Sequence, residues 1–206
     1  ETDYVLVLEK EADLAGLPPS LRDGAAQAAK DHKRPGTWLL TNTRSSIEPF
    51  LVFSDRCDLR EKAWRMWNAR GDNQNENNNR ATASEILKLR AERAQLLGYP
   101  THAHWTVDDN MARTPDAAMG LMMKVWKAAV ARVKEEVADM QAIADKDGAR
   151  ITIEPWDYRY YAEKVRKAKY DLDENAIKPY LQLNSLRDAM FWSAGQLYGL
   201  RFERLK

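Results

Sequence analysis

Most of the chain spaces its apolar residues in the three- and four-residue steps of an amphipathic α-helix. The longest such stretch begins at Thr114 and Pro115 and ends at Gly148. Proline at the first helical position and glycine after the last one are typical helix boundaries. The pattern therefore predicts one long helix whose stripe faces an ordinary protein core, in preference to a methionine-rich groove for a partner. The stripe consists of Met119, Met122, Trp126, Val130, Val133, Val137 and Met140.

The same spacing predicts further helices over residues 19–31, 81–97 and 184–198, and one that starts near Ser54 and carries Leu59 to Trp67. Strand-like runs are short and scattered, at residues 5–8, 38–41 and 151–153. An asparagine-rich run at 72–79 has no apolar residue and predicts a surface turn. The expected fold is therefore mainly α with at most a minor β element, and residues 1–206 form a single helical segment.

Composition excludes some partners. The chain has 206 residues, of which 44% are hydrophobic, enough for a real core. The 32 basic and 31 acidic residues leave a net charge of +1, without the excess that favours nucleic acid or an anionic membrane. No apolar run is long enough to span a bilayer, and the start at Glu1 is expected to be processed, cleaved or engineered. The single cysteine, Cys57, is expected to be structural.

Motifs for metal binding or catalysis are weak. The histidines are His32, His102 and His104, and only T-H-A-H-W brings two of them close in sequence. Residues two apart on a helix point about 200° apart, so His102 and His104 could share a metal only on a strand or loop. The sequence contains no H-E-x-x-H, phosphate-binding loop or dinucleotide-binding glycine pattern. It therefore predicts neither a catalytic residue nor a metal ligand.

The aromatic stretch P-W-D-Y-R-Y-Y-A-E-K-V-R-K-A-K-Y-D-L-D covers residues 155–173. If it is helical, Trp156 and Tyr160 share one side and Tyr161 the next, so bulky aromatic groups need packing partners on most sides. Tyrosines among basic residues could also grip single-stranded nucleic acid, but interspersed carboxylates such as Asp157 and Glu163 interrupt the positive potential. The stretch therefore predicts a helix that packs against other elements on most of its sides.

Several blocks of the sequence, in order, resemble the thimet-oligopeptidase family of zinc metallopeptidases, and among them the bacterial peptidyl-dipeptidase and oligopeptidase A branch. The similarity covers essentially the whole chain. The blocks are D-L-A-G-L-P (13–18), S-S-I-E-P-F-L (45–51), S-D-R-C-D-L-R-E-K-A-W (54–64), L-R-A-E-R-A-Q-L-L-G-Y (89–99), M-A-R-T-P (111–115), W-D-Y-R-Y-Y (156–161), K-Y-D-L-D-E (169–174), I-K-P-Y-L-Q-L (177–183) and Q-L-Y-G-L-R-F (196–202).

The resemblance implies a two-lobed helical peptidase with a deep channel for short unfolded peptides. In that family zinc is held by the histidines of an H-E-x-x-H helix and a glutamate of a following helix, none of which is in this sequence. The resemblance thus implies an internal segment of a longer cytoplasmic enzyme. The segment would form channel wall and scaffold, pack against the missing catalytic lobe and be inactive alone, with zinc in the full-length parent.

Two roles remain open for Trp156, Tyr160 and Tyr161 under this resemblance. They are structural anchors near the junction with the catalytic lobe, or residues of the substrate channel. The alternative function for the whole chain is a stand-alone helical module that binds peptides without catalysis. If the chain is a segment cut from its parent, apolar surface normally covered by the missing parts would be exposed and is expected to cause self-association.

Overall fold

The computed structural model describes residues 4–170, 177–203 and 205. The expected mainly α fold is confirmed, because these residues contain eight α-helices, two short 3-10 helices and one two-stranded sheet. No helix among them is both long and apolar enough to cross a membrane. Residues 171–174 of the K-Y-D-L-D-E block lie outside the described residues. The α-helices are α1 (Pro19–Asp31), α2 (Arg44–Phe53), α3 (Cys57–Asn68), α4 (Arg80–Leu96), α5 (His102–Val107), α6 (Pro115–Lys146), α7 (Tyr158–Tyr170) and α8 (Leu183–Tyr198), and the 3-10 helices are Glu11–Leu14 and Lys178–Tyr180.

The sheet pairs two of the three predicted strands. Strands β1 (Val5–Leu8) and β2 (Trp38–Thr41) are antiparallel, with Leu8 opposite Trp38. The third prediction, at residues 151–153, is wrong, because these residues form no regular strand. Instead of a neighbouring strand, the side-chain amide of Gln141 donates a hydrogen bond to the carbonyl of Ile151 at 2.7 Å and accepts one from the N–H of Ile153 at 3.1 Å.

The main hydrophobic core lies between the sheet, α2 and α3. Helix α2 was not predicted, since it is short and contains Pro49, which in sequence resembles a helix break. It nevertheless contributes three fully buried side chains. The buried core consists of Leu8, Leu14, Leu17, Leu40, Ile47, Phe50, Leu51, Leu59 and Ala63.

A second, smaller hydrophobic cluster forms where the C-terminal end of α6 meets α7. Met140 and Ala144 of α6 pack with Tyr161 of α7, and the partly buried Ile151 and Ile153 of the intervening segment close the cluster. This contact covers only the last two turns of α6.

The predicted core role of the α6 stripe is wrong along most of the helix. Met140 is buried and Val137 half-buried, but Met119, Met122 and Trp126 are 50%, 54% and 64% exposed. The spacing correctly identified an apolar face, yet within the described residues the covering segment reaches only its C-terminal end. Periodicity shows which face is apolar and does not show what covers it.

The chain divides into two compact units, Glu1–Val165 and Arg166–Lys206. In the second unit, Phe191 stacks on Phe202 with ring centroids 4.4 Å apart. Gly199 ends α8 in the left-handed conformation, with φ of 66°. Several large apolar side chains of this unit are exposed, including Leu183, Trp192, Leu197 and Tyr198.

Candidate functional site

A buried ion pair fastens the W-D-Y-R-Y-Y stretch to α3. Nη2 of Arg60 donates to Oδ1 of Asp157 at 2.5 Å, and the two side chains are only 2% and 1% exposed. Nη1 of Arg60 donates to the carbonyl of Ser54 at 2.7 Å. The N–H of Glu154 donates to the second carboxylate oxygen of Asp157 at 3.4 Å. Each charge thus has several partners, which a buried ion pair needs in order to offset its lost hydration.

Cys57 adds a third group to this ion pair. Its Sγ donates to Oδ1 of Asp157 at 3.4 Å from the first turn of α3. Burial raises the pKa of the Cys57 thiol, and the Asp157 carboxylate raises that pKa further. Since the thiolate is the nucleophilic form, these contacts support the structural role expected for Cys57.

Tyr160 packs against the guanidinium of the same ion pair. Its hydroxyl donates to Oδ1 of Asp55 at 2.8 Å, and the guanidinium carbon of Arg60 lies 4.2 Å from its ring centroid. The ammonium of Lys164 lies 4.8 Å from the same centroid. Burial raises the pKa of the Tyr160 phenol, and the hydrogen bond to Asp55 adds to the increase. Two cations therefore lie within cation–π distance of the ring, and both contacts stabilise its position.

Trp156 and Tyr161 pack against different neighbours. Trp156 packs edge-to-face on Trp64 of α3, with centroids 5.8 Å apart, and the Arg65 guanidinium lies 5.0 Å from its ring. Tyr161 is 4% exposed in the second cluster and packs edge-to-face on Tyr160. All three aromatic residues selected from the sequence thus contact other parts of the fold, and their contact with a substrate stays a prediction.

We call the Arg60–Asp157 ion pair, with the aromatic residues packed around it, the anchor. An open groove of about 560 Å³ lies beside the anchor, between α2, α3, α6 and the start of α7. Its walls are mainly apolar and aromatic, and its charged side chains are Glu154 and Arg159. Nη2 of Arg159 donates to Oε1 of Glu48 at 3.0 Å. A groove of this size and chemistry can take apolar side chains of a peptide. It is lined by Leu51, Trp64, Val133, Val137, Ile153, Glu154, Pro155, Tyr158 and Arg159.

The histidines do not form a metal site with their neighbours. Nδ1 of His104 shares a hydrogen bond with Oγ1 of Thr101 at 2.8 Å, and the His102 ring stacks on Trp105 with centroids 5.6 Å apart. In residues 4–170, 177–203 and 205, no cluster of three or more His, Cys, Asp or Glu side chains could hold a metal ion. The described residues therefore do not fit the zinc that the resemblance implies.

Sequence reasoning did not find the partners of the aromatic stretch. In the sequence, Asp157 stands out only as a carboxylate that interrupts a positive potential, and Arg60 lies in a helix rich in charge. Their pairing joins residues 97 positions apart, and no spacing rule indicates such a pair. The sequence does not reveal the groove, because the spacing of Val133 and Val137 predicts an ordinary core face. Its aromatic lining, Trp64 and Tyr158, lies next to the residues that were selected.

Comparison with known proteins gives consistent matches. The model of "Peptidase family M3" matches residues 50–206. The chain is 37% identical to dipeptidyl carboxypeptidase of Escherichia coli over 198 residues, which is 96% of this chain and 29% of that protein. It is 31% identical to oligopeptidase A of Salmonella typhimurium over 201 residues, 96% of this chain and 29% of that protein. A probable cytosolic oligopeptidase A of Arabidopsis thaliana is 32% identical over 203 residues. The chain thus spans less than a third of the length of these relatives.

Proposed function

Because this chain belongs to peptidase family M3, we propose that it is the non-catalytic wall and scaffold segment of a longer oligopeptidase or peptidyl-dipeptidase. The longer protein would hydrolyse short unfolded peptides. The observation that carries this proposal is the similarity to dipeptidyl carboxypeptidase along 96% of the chain, which accounts for 29% of that relative. The remainder of such a protein would supply the catalytic lobe.

Zinc belongs to this proposal only as a cofactor of the longer protein. When bound in such enzymes, zinc polarises the scissile carbonyl and activates a water molecule. The residues described above do not fit the ion, so no step of the reaction is assigned to this segment. Its contribution is to position peptide and catalytic lobe.

The anchor and the groove support the wall role. The Arg60–Asp157 pair fixes the start of α7 to α3, and this contact holds Trp64 and Tyr158 at the groove. An apolar groove with two aromatic side chains suits the side chains of an extended peptide. We propose that Trp156, Tyr160 and Tyr161 mainly anchor this wall. Among them, Trp156 is best placed to reach a substrate, since it is partly exposed and packs on Trp64.

A peptidase assay tests the proposal directly. The purified chain is incubated with a fluorogenic short peptide, with and without added zinc, and we expect no hydrolysis in either case. Turnover that zinc restores would contradict the scaffold role. Binding of the same peptide is measured by tryptophan fluorescence. Weak binding would support a role in the channel wall, and no binding would indicate a role in packing alone.

A variant pair locates the binding. Tyr158→Ala removes a groove side chain at the first residue of α7, and Tyr170→Ala makes the same change at its last residue. We expect the first change to weaken peptide binding and the second to leave it unchanged. Tight binding without turnover, also in the longer protein, would favour the alternative of a stand-alone peptide-binding module. A cytoplasmic location stays a prediction.

A further inference from the structure

Eight residues of α6 form an apolar seam with the spacing of a coiled coil. Starting at Met119, the steps alternate strictly between four and three residues as far as Ala144. This is the 3.5-residue period of a left-handed coiled coil, with β-branched valines at two of the four a positions. We call these residues the α6 seam: Met123, Val130, Val137 and Ala144 at a, and Met119, Trp126, Val133 and Met140 at d.

Within residues 4–170, 177–203 and 205, burial of the α6 seam is concentrated at its C-terminal end, and Val130 is half-buried. Met140 and Ala144 are buried against α7, and Val133 and Val137 line the groove. Met123 and Trp126 are 57% and 64% exposed. The stretch from 119 to 133 is about 21 Å long at 1.5 Å per residue. Exposed apolar surface of this extent and regularity indicates a binding surface.

The flanks of the α6 seam differ in charge. Lys127 and Lys134 occupy successive e positions, and both are exposed. Neither ammonium lies within ion-pair distance of a carboxylate among the described residues. The opposite flank carries Met122 and Ala129 at the g positions beside them. Farther along that flank, Glu136 at the next g position accepts a hydrogen bond from Nε of Arg132 at 3.2 Å. Beside the exposed stretch of the seam, one edge is therefore positive and the other apolar.

This charge pattern disfavours a second copy of the chain as the occupant. In an antiparallel pair of seams, e positions face e positions and the lysines would repel one another. In a parallel pair, e faces g of the other helix, so Lys127 and Lys134 would face Met122 and Ala129. Neither arrangement gives the lysines an acidic partner.

We propose that the α6 seam binds an amphipathic helix that carries carboxylates opposite Lys127 and Lys134. The source of this helix is the part of the longer protein outside these 206 residues. The assignment of the source rests on the proposed function, because relatives of the chain are more than three times its length.

Two synthetic peptides test the surface with the full 206-residue chain. Each has three heptads with leucine at a and d, and they differ only in glutamate or lysine at e and g. We expect the glutamate peptide to bind roughly tenfold more tightly by calorimetry, because exposed charge pairs change sign at two sites. Peptide hydrolysis is not measured, so this result is independent of the peptidase assay.

Matched variants of α6 decide the interpretation. Lys127→Glu with Lys134→Glu should reverse the preference between the peptides. Lys124→Glu makes the same change at a b position, away from the seam, and should leave the preference intact. Trp126→Ala should weaken binding of the glutamate peptide at least tenfold. Circular dichroism confirms that each variant is folded.

Three results would overturn the proposal. Equal affinity for both peptides would exclude the role of the lysines, and equally tight binding of a proline-containing extended peptide would show that the site does not select a helix. Loss of chain oligomers in Trp126→Ala, measured by sedimentation, would assign the seam to a second copy.

Cross-linking tests the source of the helix. Carbodiimide should cross-link Lys127 or Lys134 of the longer protein to an acidic residue outside these 206 residues. Cross-links only within these residues would contradict it.

Discussion

Replacing Asp157 with alanine should lower the free energy of unfolding by about 3–5 kcal/mol, the usual cost of breaking a buried ion pair. The reason lies in the geometry of its partner. Arg60 is 2% exposed, and its Nη2 would lose a contact of 2.5 Å. Its Nε already lacks a hydrogen-bond partner among the described residues. The carbonyl of Ser54 and the ring of Tyr160 would remain, and neither neutralises a buried charge.

This loss is large for a domain whose total stability is of the order of 5–15 kcal/mol. The loss should come mainly from the Arg60 charge, which is left buried without a carboxylate. Replacing both Arg60 and Asp157 should therefore restore most of the stability. We expect Arg60→Met combined with Asp157→Leu to lie within about 1 kcal/mol of the wild type, because apolar replacements of buried pairs are often neutral. Glu135→Ala removes a carboxylate from the exposed pair with Arg132 and should cost less than about 1 kcal/mol.

Urea denaturation monitored by circular dichroism and tryptophan fluorescence measures these differences by linear extrapolation. Coincident transitions from the two signals would establish two-state unfolding of the unit that contains Arg60 and Asp157. A loss below 1 kcal/mol for Asp157→Ala, or a double variant as unstable as the sum of the single variants, would refute the reasoning.

Other predictions address single contacts and exposed surface. Tyr160→Phe should cost about 0.5–1.5 kcal/mol by removing the hydrogen bond to Asp55. Because the folded-state pKa of Tyr160 lies above its ordinary 10.0, the wild type should lose stability as pH rises past 10.0, and this variant should lose less. Gly16→Ala should cost more than about 1 kcal/mol, since φ is +81° and a Cβ would lie 2.2 Å from the carbonyl oxygen of Phe53. Gly36→Ala, with φ of +88° and nothing within 4 Å, should cost less in the same urea assay. Exposed apolar side chains outside the α6 seam, such as Leu183, Trp192 and Leu197, should bind hydrophobic dye and produce oligomers in sedimentation; a monomer without dye binding would contradict this.

Local signals predicted the elements of this fold well. Pro115 and Gly148 delimit α6, and Pro19 begins α1, because caps and breakers act over only a few residues. The paired strands were also recognised, since both are short runs of apolar residues that the sheet half buries. Residues 151–153 are a similarly short run of β-branched residues, and the side chain of Gln141 takes the place of a partner strand.

Long-range contacts could not be predicted in this way. The sequence selected Trp156, Tyr160 and Tyr161 as residues that need partners, but nothing in it identified Arg60 or Trp64 as those partners. The spacing of the α6 stripe likewise does not identify the element that packs against it. A local pattern identifies side chains for which burial is favourable. Which neighbours bury them depends on the topology of the whole fold.

The Arg60–Asp157 pair also has a consequence for the order of folding. It closes a loop of 97 residues, with an entropic cost of about 4 kcal/mol if the loop is flexible. The core of α2, α3 and the sheet uses shorter separations and should therefore form first, with the ion pair closing later. A protease cut at residues 72–79 would interrupt the loop without touching either end. The two pieces should then remain associated as a split protein, joined by Arg60, Asp157 and the packing around them.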